Sequence, residues 1–176
     1  MNIAIISDIH DNIWNLRKVL QHVKDTEALI CCGDLCSPFV VGILARGYAG
    51  PIHIVFGNND GDLYRITEQA AKFDHVHLHG EFAELQLGGR KIAVTHFPEI
   101  ARGLVYHFAY DVVCYGHNHS FKIGQSADAL LLNPGCVMGY NPVSDEDVPA
   151  SFILYDSEAN LAEGYQLTEA GVAAMK

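Results

Sequence analysis

The chain has 176 residues, of which 49% are hydrophobic and 18% are charged, and its formal net charge is −10 with only 11 lysines and arginines. This composition predicts a single folded domain over residues 1–176 that can bury a core, and it excludes a disordered or low-complexity chain. The acidic balance and the lack of a basic cluster exclude duplex nucleic acid as the expected partner, because such binding depends on the neutralisation of phosphates.

Apolar runs and helical spacing in the first half predict strands that alternate with helices. In chain order they are a strand over Asn2–Ser7, a helix from a cap at Asp11 or Asn12 to Val23, a strand over Ala28–Cys32, a helix over Phe39–Ala45 after Pro38, a strand over Ile52–Phe56 and a helix over Asp62–Phe73. The segment DHVHLHG follows, with His75, His77 and His79 at alternate positions. We expect an exposed strand there and not a third metal site, because no carboxylate beyond Asp74 has a useful spacing.

The second half is richer in strands and begins with a hairpin. Gly88-Gly89 separates Phe82–Leu87 from Arg90–Thr95, and two glycines favour a tight turn because both positions tolerate positive φ. The later elements are a helix over Glu99–Phe108, strands over Asp111–Tyr115, Phe121–Gln125, Ala129–Leu132, Ser151–Tyr155 and Leu161–Gln166, and a short helix over Thr168–Lys176. Together they predict one α/β domain with a mixed sheet system.

The five cysteines and the first residues indicate the compartment. The cysteine count is odd and no pair has CxxC spacing, so we expect free thiols in a reducing compartment and no zinc ribbon. The opening MNIAIISDIHDN is apolar over too few residues for a signal peptide, and nothing approaches a membrane span. The sequence therefore predicts a soluble cytoplasmic protein without a membrane partner.

Side chains that bind metals follow five predicted strands, at the point where each strand ends. They are Asp8 and His10, Asp34, Asn58, His96, and His117 with His119. Loops converge at the carboxyl ends of strands in open α/β sheets, so we expect these seven side chains to meet. Mixed nitrogen and oxygen ligands suit manganese, iron, zinc, nickel or cobalt better than calcium. Two such ions ~3.5–4 Å apart form a clamp for in-line displacement at phosphorus.

Each of these motifs has a simpler interpretation when it is taken alone. Asn58-Asn59-Asp60 is typical of a turn, because Asn and Asp tolerate left-handed backbone. The recurrence at five strand ends is what favours a dinuclear site over coincidence. Outside these motifs, Trp14 is predicted to pack and not to stack on a substrate, and His53 is predicted to lie at the surface or the edge of the core.

Six motifs follow one another with the order and spacing of a known family: SDIHDN (7–12), GD (33–34), GNND (57–60), TH (95–96), GHNH (116–119) and NPG (133–135). On these motifs the chain resembles the calcineurin-like metallophosphoesterase superfamily, in particular its small bacterial and archaeal phosphodiesterases, which are related to the retromer subunit Vps29. The resemblance implies a β-sandwich of two sheets with helices on both outer sides.

The resemblance also implies a role for each matched residue. Asp8, His10, Asp34 and His119 are expected to hold one metal ion, and Asp34, Asn58, His96 and His117 the other, with Asp34 as the bridge. A hydroxide that bridges the ions would attack a small phosphodiester, with manganese as the favoured metal and nickel, iron, zinc or cobalt as alternatives. The implied catalytic residues are Asp34, Asn59 and Asp60, with Asp60 behind the ligands, and the implied substrate-binding residues are Asn59 and Asn12.

Three positions depart from the family pattern. Asn59 stands where relatives have His or Cys, and an amide can donate a hydrogen bond but cannot transfer a proton to a leaving group. We therefore expect a preference for substrates whose leaving groups need little protonation. Phe97 replaces a Gly, and Cys136 replaces a Ser ahead of an acidic loop, residues 144–149, where relatives often carry Arg.

Two other functions stay open. A catalytically weak, Vps29-like scaffold for protein binding predicts eroded metal ligands, whereas all seven positions are filled here by competent side chains. A phosphomonoesterase needs the same metal clamp as a diesterase, so the sequence does not separate the two. Relatives of this family also self-associate, and a homo-oligomer is an expectation that rests on the resemblance alone.

Overall fold

The computed structural model describes residues 1–107, 109–126 and 128–175. Among these residues there are four helices, α1 (Ile13–Val23), α2 (Pro38–Gly47), α3 (Leu63–Ala70) and α4 (Pro98–His107). The strands are β1 (Asn2–Ile6), β2 (Ala28–Cys31), β3 (Ile52–Ile54), β4 (Val76–Leu78), β5 (Phe82–Leu87), β6 (Arg90–Thr95), β7 (Val112–Cys114), β8 (Lys122–Ser126), β9 (Ala129–Asn133), β10 (Tyr140–Asn141), β11 (Glu146–Asp147), β12 (Ser151–Asp156), β13 (Leu161–Thr168) and β14 (Gly171–Ala174).

The strands form two main sheets and one small pair. The first sheet has the order β14-β13-β12-β1-β2-β3-β4, and the second has the order β5-β6-β7-β9-β8. Strands β1 to β4 run parallel, and helices α1, α2 and α3 connect them in turn. In the second sheet β6, β7 and β9 are parallel, with α4 between β6 and β7. Helical crossovers are what parallel neighbours require.

Strand β1 shows how the layers pack. Ala4 and Ile6 lie in the core between the first sheet and helices α1 to α3, and Ile3 and Ile5 lie in the core between the two sheets. The alternation follows from the two-residue period of a strand. A third core, which includes Ala101 and Val113, joins α4 to the second sheet. The layers therefore run helices, sheet, sheet, helix, and the predicted two-sheet sandwich with helices on both sides is confirmed.

The predicted terminal helix over Thr168–Lys176 is wrong. Strand β13 extends to Thr168, and β14 returns antiparallel to it from Gly171, whose φ is +128°. Nine residues are too few to sustain a helix without a packed face, whereas the edge of β13 offers unpaired backbone groups to a strand. Lys176 lies outside the described residues, as does Phe108, the predicted end of α4.

The other differences are local. The hairpin of β5 and β6 has its predicted bounds, and DHVHLHG contains β4, an edge strand with His77 exposed. The short pair of β10 and β11 was not predicted, because two-residue strands leave no periodic pattern. The assignment of all 176 residues to a single domain stays a prediction.

Candidate metal centre

The loops after β1, β2, β6 and β7 are tied to one another by backbone hydrogen bonds. Asp8 donates its backbone N–H to Gly33 over 3.0 Å, and His10 donates to the carbonyl of Asp34 over 3.0 Å. Within the second sheet, the backbone N–H of Gly116 donates to the carbonyl of His96 over 3.1 Å. Across the sheets, the backbone N–H of Met138, after β9, donates to the carbonyl of Asp8 over 2.9 Å. These bonds hold the carboxyl ends of strands from both sheets at one edge of the sandwich, where open α/β folds bind ligands.

The backbone at this edge is unusual. Five of the seven predicted metal ligands have positive φ, namely Asp8 (+53°), His10 (+42°), Asp34 (+55°), His117 (+73°) and His119 (+53°). Such conformations are costly for residues with a side chain, and they persist where the surrounding structure fixes them, which is typical of functional sites. The loops therefore place these side chains at the site at the cost of unfavourable backbone conformations.

The first group of predicted ligands is Asp8, His10 and His119. The Nε2 atoms of the two histidines lie 3.2 Å apart, and Asp8 Oδ1 is 3.3 Å from His119 Nε2 and 3.8 Å from His10 Nε2. All three ligand atoms lie within 4.8 Å of one another. Asp8 is fully buried, and its other oxygen accepts the backbone N–H of His117 over 3.0 Å.

The second group is Asn58, His96 and His117. Asn58 Oδ1 lies 2.8 Å from His117 Nδ1 and 3.1 Å from His96 Nε2, and these two nitrogens are 3.3 Å apart. His96 is fully buried, whereas Asn58 and His117 are exposed. The second group therefore opens toward solvent on one side.

Asp34 lies between the two groups. Its Oδ2 is 3.5 Å from His10 Nε2 and 3.3 Å from His96 Nε2, so a single carboxylate oxygen faces both. The close approach of Gly57 makes this placement dependent on glycine, because a Cβ at position 57 would overlap the Asp34 carboxylate. The structure thus brings all seven predicted ligands together in two groups that Asp34 joins.

The electrostatics favour charged carboxylates beside protonated histidines. Burial alone would raise the pKa of Asp8, but the nearby imidazoles of His10 and His119 bring it well below its usual range. Burial likewise opposes the charge on His119, yet the nearby Asp8 carboxylate and the carbonyl of Tyr140 raise its pKa to about 10. Burial also disfavours the imidazolium of His96, and Asp34 raises its pKa nonetheless. The carboxylates of Asp8 and Asp34 therefore stabilise positively charged groups at this site.

A second layer of groups orients the ligands. The carbonyl oxygen of Cys32 lies 2.8 Å from His96 Nδ1, and that of Tyr140 lies 2.6 Å from His119 Nδ1. Each carbonyl can accept the Nδ1–H and leave Nε2 with a lone pair that points into the site, an arrangement typical of metal-binding histidines.

Asp60 is part of the same layer and binds backbone only. Its carboxylate accepts the N–H groups of Asp34, Cys36 and Gly57 over 2.8 to 3.0 Å. It is buried, and burial raises its pKa. Asp60 therefore fixes the loops that carry Asp34 and Asn58, and its predicted role in catalysis stays a prediction.

Asn59 and Asn12, the predicted substrate-binding residues, both have partners within the fold. Asn59 donates its backbone N–H and its side-chain amide to the two oxygens of Asp34, each over 2.8 Å. The Asn12 oxygen caps α1, and its amide donates to the carbonyl of Met138 over 2.8 Å. Asn59 thus lies directly at the bridging carboxylate, whereas Asn12 has a structural role at the start of a helix.

The nitrogen and oxygen atoms of the seven predicted ligands fit a pair of divalent ions. Asp8 Oδ1 is buried without a hydrogen-bond partner although it faces His10 and His119, and an unpaired buried carboxylate oxygen is costly unless a cation completes it. Imidazole nitrogens and carboxylate or amide oxygens together are the ligand set of transition metals.

Sequence reasoning missed several residues near this centre and misjudged one. Asn133 donates to the Gly116 carbonyl over 3.2 Å and to Asn118 over 2.8 Å, which braces the loop of His117 and His119. The motif NPG was the available sign of this contact, but no pattern signals the carbonyl of Tyr140. Trp14 was predicted to pack, yet it is 70% exposed, because it occupies the outer face at the start of α1.

Phe97 and Cys36 flank the ligands. The Phe97 ring lies against the rings of His96 and His117, with centroids 5.3 Å and 5.7 Å away, so it does narrow the site where a glycine would leave space. Cys36 Sγ lies 3.4 Å from His10 Nδ1. Burial raises the pKa of this thiol to about 12, so it stays protonated and can orient the imidazole.

Comparison with known proteins gives a consistent result. The sequence profile of the calcineurin-like phosphoesterase superfamily domain matches residues 1–160. Phosphodiesterase MJ0936 of Methanocaldococcus jannaschii is 32% identical over 144 residues, which cover 80% of this chain and 86% of that protein.

Solved structures resemble the fold along its whole length. A structure described as a novel archaeal phosphodiesterase has a TM-score of 0.85 at 28% identity and covers 95% of this chain and 100% of its own. Vacuolar protein sorting 29 from Cryptosporidium parvum has a TM-score of 0.73 at 22% identity over 99% of this chain and 95% of its own, a likeness of fold alone. Within the described part of the chain, no helix has the length and apolar character needed to cross a membrane.

Proposed function

The chain belongs to the calcineurin-like phosphoesterase superfamily, and from this premise we propose that it hydrolyses small phosphodiesters at a centre of two divalent transition-metal ions. The single observation that carries the proposal is the position of Asp34, whose Oδ2 faces His10 on one side and His96 on the other within 3.5 Å. A carboxylate so placed can serve two cations at once, and two-metal sites are suited to displacement at phosphorus.

The residues that would hold the ions are the two groups described above. Asp8, His10 and His119 with Asp34 form one set, and Asn58, His96 and His117 with Asp34 form the other. When bound, the ions supply the positive charge that binds a phosphoryl group and lowers the pKa of water. Manganese is our first choice of metal, since the mixed ligands suit it, with nickel, iron, zinc and cobalt as alternatives.

The chain's own groups then orient the reactants. Asn59 lies beside Asp34, to which its side-chain amide donates over 2.8 Å, and it is therefore close to where the ions would bind a phosphoryl group. This amide can stabilise charge on a phosphoryl or leaving oxygen by a hydrogen bond, but it has no proton to transfer. Phe97 packs against His96 and His117 and occupies space beside these two rings.

A diester substrate is supported by the relatives. The protein from Methanocaldococcus jannaschii is named a phosphodiesterase, and its identity to this chain extends over most of both sequences. The acidic net charge of −10 favours a small substrate over a long polyanion such as duplex DNA. All five cysteines are free, which supports a reducing, cytoplasmic location as part of the proposal.

The first experiment compares bis-p-nitrophenyl phosphate with p-nitrophenyl phosphate as substrates. The protein is stripped with a chelator and supplied with manganese, nickel, zinc or magnesium in turn. Asp34→Asn tests the bridge, and Asp25→Asn, an exposed carboxylate on the surface after α1, is the matched control. We expect diester cleavage that requires metal, disappears with Asp34→Asn and persists with Asp25→Asn. Preferential cleavage of the monoester would overturn the diester assignment, and a failure to bind metal at all would favour the scaffold.

A further inference from the structure

A second cluster of histidines lies at the β4 edge of the first sheet and shares no residue with the centre described above. His53 of β3 and His77 of β4 are paired in the parallel register of these strands. Paired residues lie on the same face, and His79, two residues after His77, returns to that face. Ile52 and Ile54 point the other way, into the core under the helices. The fold thus collects three imidazoles on one side of the β4 edge, beyond which the described residues place no further strand.

Two of the three rings already have the spacing of neighbouring metal ligands. His53 Nδ1 lies 3.1 Å from His79 Nε2, and two nitrogens bound to one ion at 2.0–2.1 Å are about 3.0–3.4 Å apart. The third ring, His77, is exposed and stacks on His53 with centroids 5.1 Å apart and planes 25° from parallel. The three nitrogens do not yet converge on one point, so His77 must turn about its side-chain bonds, which an exposed ring can do.

The two rings with neighbouring nitrogens, His53 and His79, are also in the protonation state that binds metals. Partial burial, together with the neighbouring rings of His79 and His77, lowers the pKa of His53 to about 4. Burial and His77 lower the pKa of His79 as well. Neutral imidazole is the form that coordinates a cation, and no proton has to be displaced near neutral pH.

From this geometry we propose that His53, His77 and His79 bind one additional divalent ion of the zinc, nickel or copper class. Three imidazoles and a water complete a four-coordinate site, and hard ions that prefer oxygen ligands, such as calcium and magnesium, have no protein oxygen ligand in it. The ion ties the edge strand β4 to β3, since its ligands come from both strands and from the turn after β4. The role of this ion is structural. It binds only the folded state and so stabilises β4, an edge strand of three residues.

His75 provides a matched control. It belongs to the same histidine-rich segment, but its Nε2 lies 3.0 Å from the carbonyl of Ala45 and it takes no part in the cluster. A substitution there changes the histidine content by one without the removal of a proposed ligand. H75Q and the double variant H53Q/H79Q are therefore compared with the unaltered chain, all without an affinity tag.

The test is a count of zinc ions by native mass spectrometry after chelator treatment and titration at micromolar metal. We expect H53Q/H79Q to carry one ion fewer than the unaltered protein, and H75Q to carry the same number. Equal counts for the double variant and the unaltered protein would overturn the proposal. Failure of the phosphoesterase centre is distinguishable, because it lowers the count in all three proteins equally.

A second measurement on the unaltered protein guards against misfolding of the double variant. Imidazole resonances in nitrogen-15 NMR spectra report each ring during the zinc titration. The ring signals of His53, His77 and His79 are expected to move together with one equivalent of zinc, while those of His75 stay in place. Ring signals of the three histidines that do not change at micromolar zinc would refute the site.

Discussion

At the scale of single residues, Asn59 lacks the proton-transfer chemistry that the family resemblance leads us to expect at its position. Its amide donates to the Asp34 carboxylate over 2.8 Å and cannot protonate a leaving oxygen. We predict a steep dependence of the hydrolysis rate on the pKa of the leaving group, with aryl diesters cleaved far faster than alkyl diesters. The measurement is a series of substituted phenyl and alkyl diesters, and a flat series would contradict the prediction.

The substitution Asn59→His sharpens the same argument. A histidine at this position restores a group that can transfer a proton, so the rate for alkyl leaving groups is expected to rise about tenfold, a modest share of what general acids contribute. The rate for p-nitrophenolate is expected to change little, since that leaving group needs no proton. Asn59→Ala is the control that removes the amide alone, and an equal effect of both substitutions on both substrates would exclude a proton-transfer role.

His119 leads to a prediction about pH. In the metal-free protein Asp8 and the Tyr140 carbonyl act against burial and raise the pKa of His119 to about 10, so the ring carries a proton at neutral pH. A metal ion needs the neutral ring, and the apparent metal affinity should therefore rise about tenfold per pH unit for this proton, up to a pH near 10. Burial disfavours the charged form of His96, but Asp34 raises the pKa of this ring overall. A proton on His96 would therefore also make the apparent metal affinity rise with pH.

Calorimetric titration with manganese in two buffers of different ionisation enthalpy measures the protons released. We expect at least one proton per protein at pH 7.5 and a higher affinity at pH 8 than at pH 6.5. An affinity that is flat over this range, with no proton released, would show that His119 is already neutral in the metal-free protein.

At the scale of elements, the sequence predicted those parts that have a local cause. The hairpin of β5 and β6 was predicted with its bounds, because Gly88 and Gly89 define the turn and alternation defines the strands. The segment after Thr168 was wrongly predicted as a helix. It forms a strand because it pairs with the edge of β13, and no local sequence pattern indicates such a pairing. The candidate metal ligands could be grouped from the sequence because each follows a predicted strand, whereas the carbonyl of Tyr140 reaches His119 only through tertiary packing.

Helices α1, α2 and α3 share a feature that sequence reasoning overlooked. Each begins soon after a ligand loop, and each has an exposed aromatic side chain at its second residue: Trp14, Phe39 and Tyr64 are 70%, 52% and 71% exposed. Neighbouring parallel strands place the starts of their helices at the same edge, so the three rings lie on the helix side of the metal centre. Exposed aromatic surface beside a polar site favours contact with an aromatic part of the substrate.

We predict that Trp14→Ala raises the KM for aryl diesters about three- to tenfold, in proportion to about 1 kcal/mol of lost ring contact, with little effect on kcat. Tyr106→Ala is the matched control, because Tyr106 is equally exposed at 71% but lies near the end of α4. Steady-state kinetics with bis-p-nitrophenyl phosphate and a dialkyl diester separate the two effects. The same increase of KM for both variants, or for both substrates, would count against a stacking role for Trp14.

At the scale of the whole molecule, the centre joins two sheets that also share an apolar core. Asp8, Asp34 and Asn58 follow strands of the first sheet, and His96 and His117 follow strands of the second. Ions held by both sets would link the sheets at this edge in addition to the apolar core between them. The sequence motifs predicted this architecture. Predicted ligands that follow strands of two different sheets can meet only if the carboxyl ends of the strands in both sheets lie at the same edge.

Metal binding should accordingly stabilise the entire fold and not one loop. At a free metal concentration of about 100 times the dissociation constant, linkage adds about 2.7 kcal/mol, which corresponds to a rise in Tm of about 5–11 °C for a chain of this size. Differential scanning calorimetry of the protein with and without manganese tests this, with Asp34→Asn as the variant that should lose most of the rise. Because ligands come from both sheets, we expect one transition that moves as a unit, and two separate transitions in the metal-loaded protein would show that the centre does not couple the sheets.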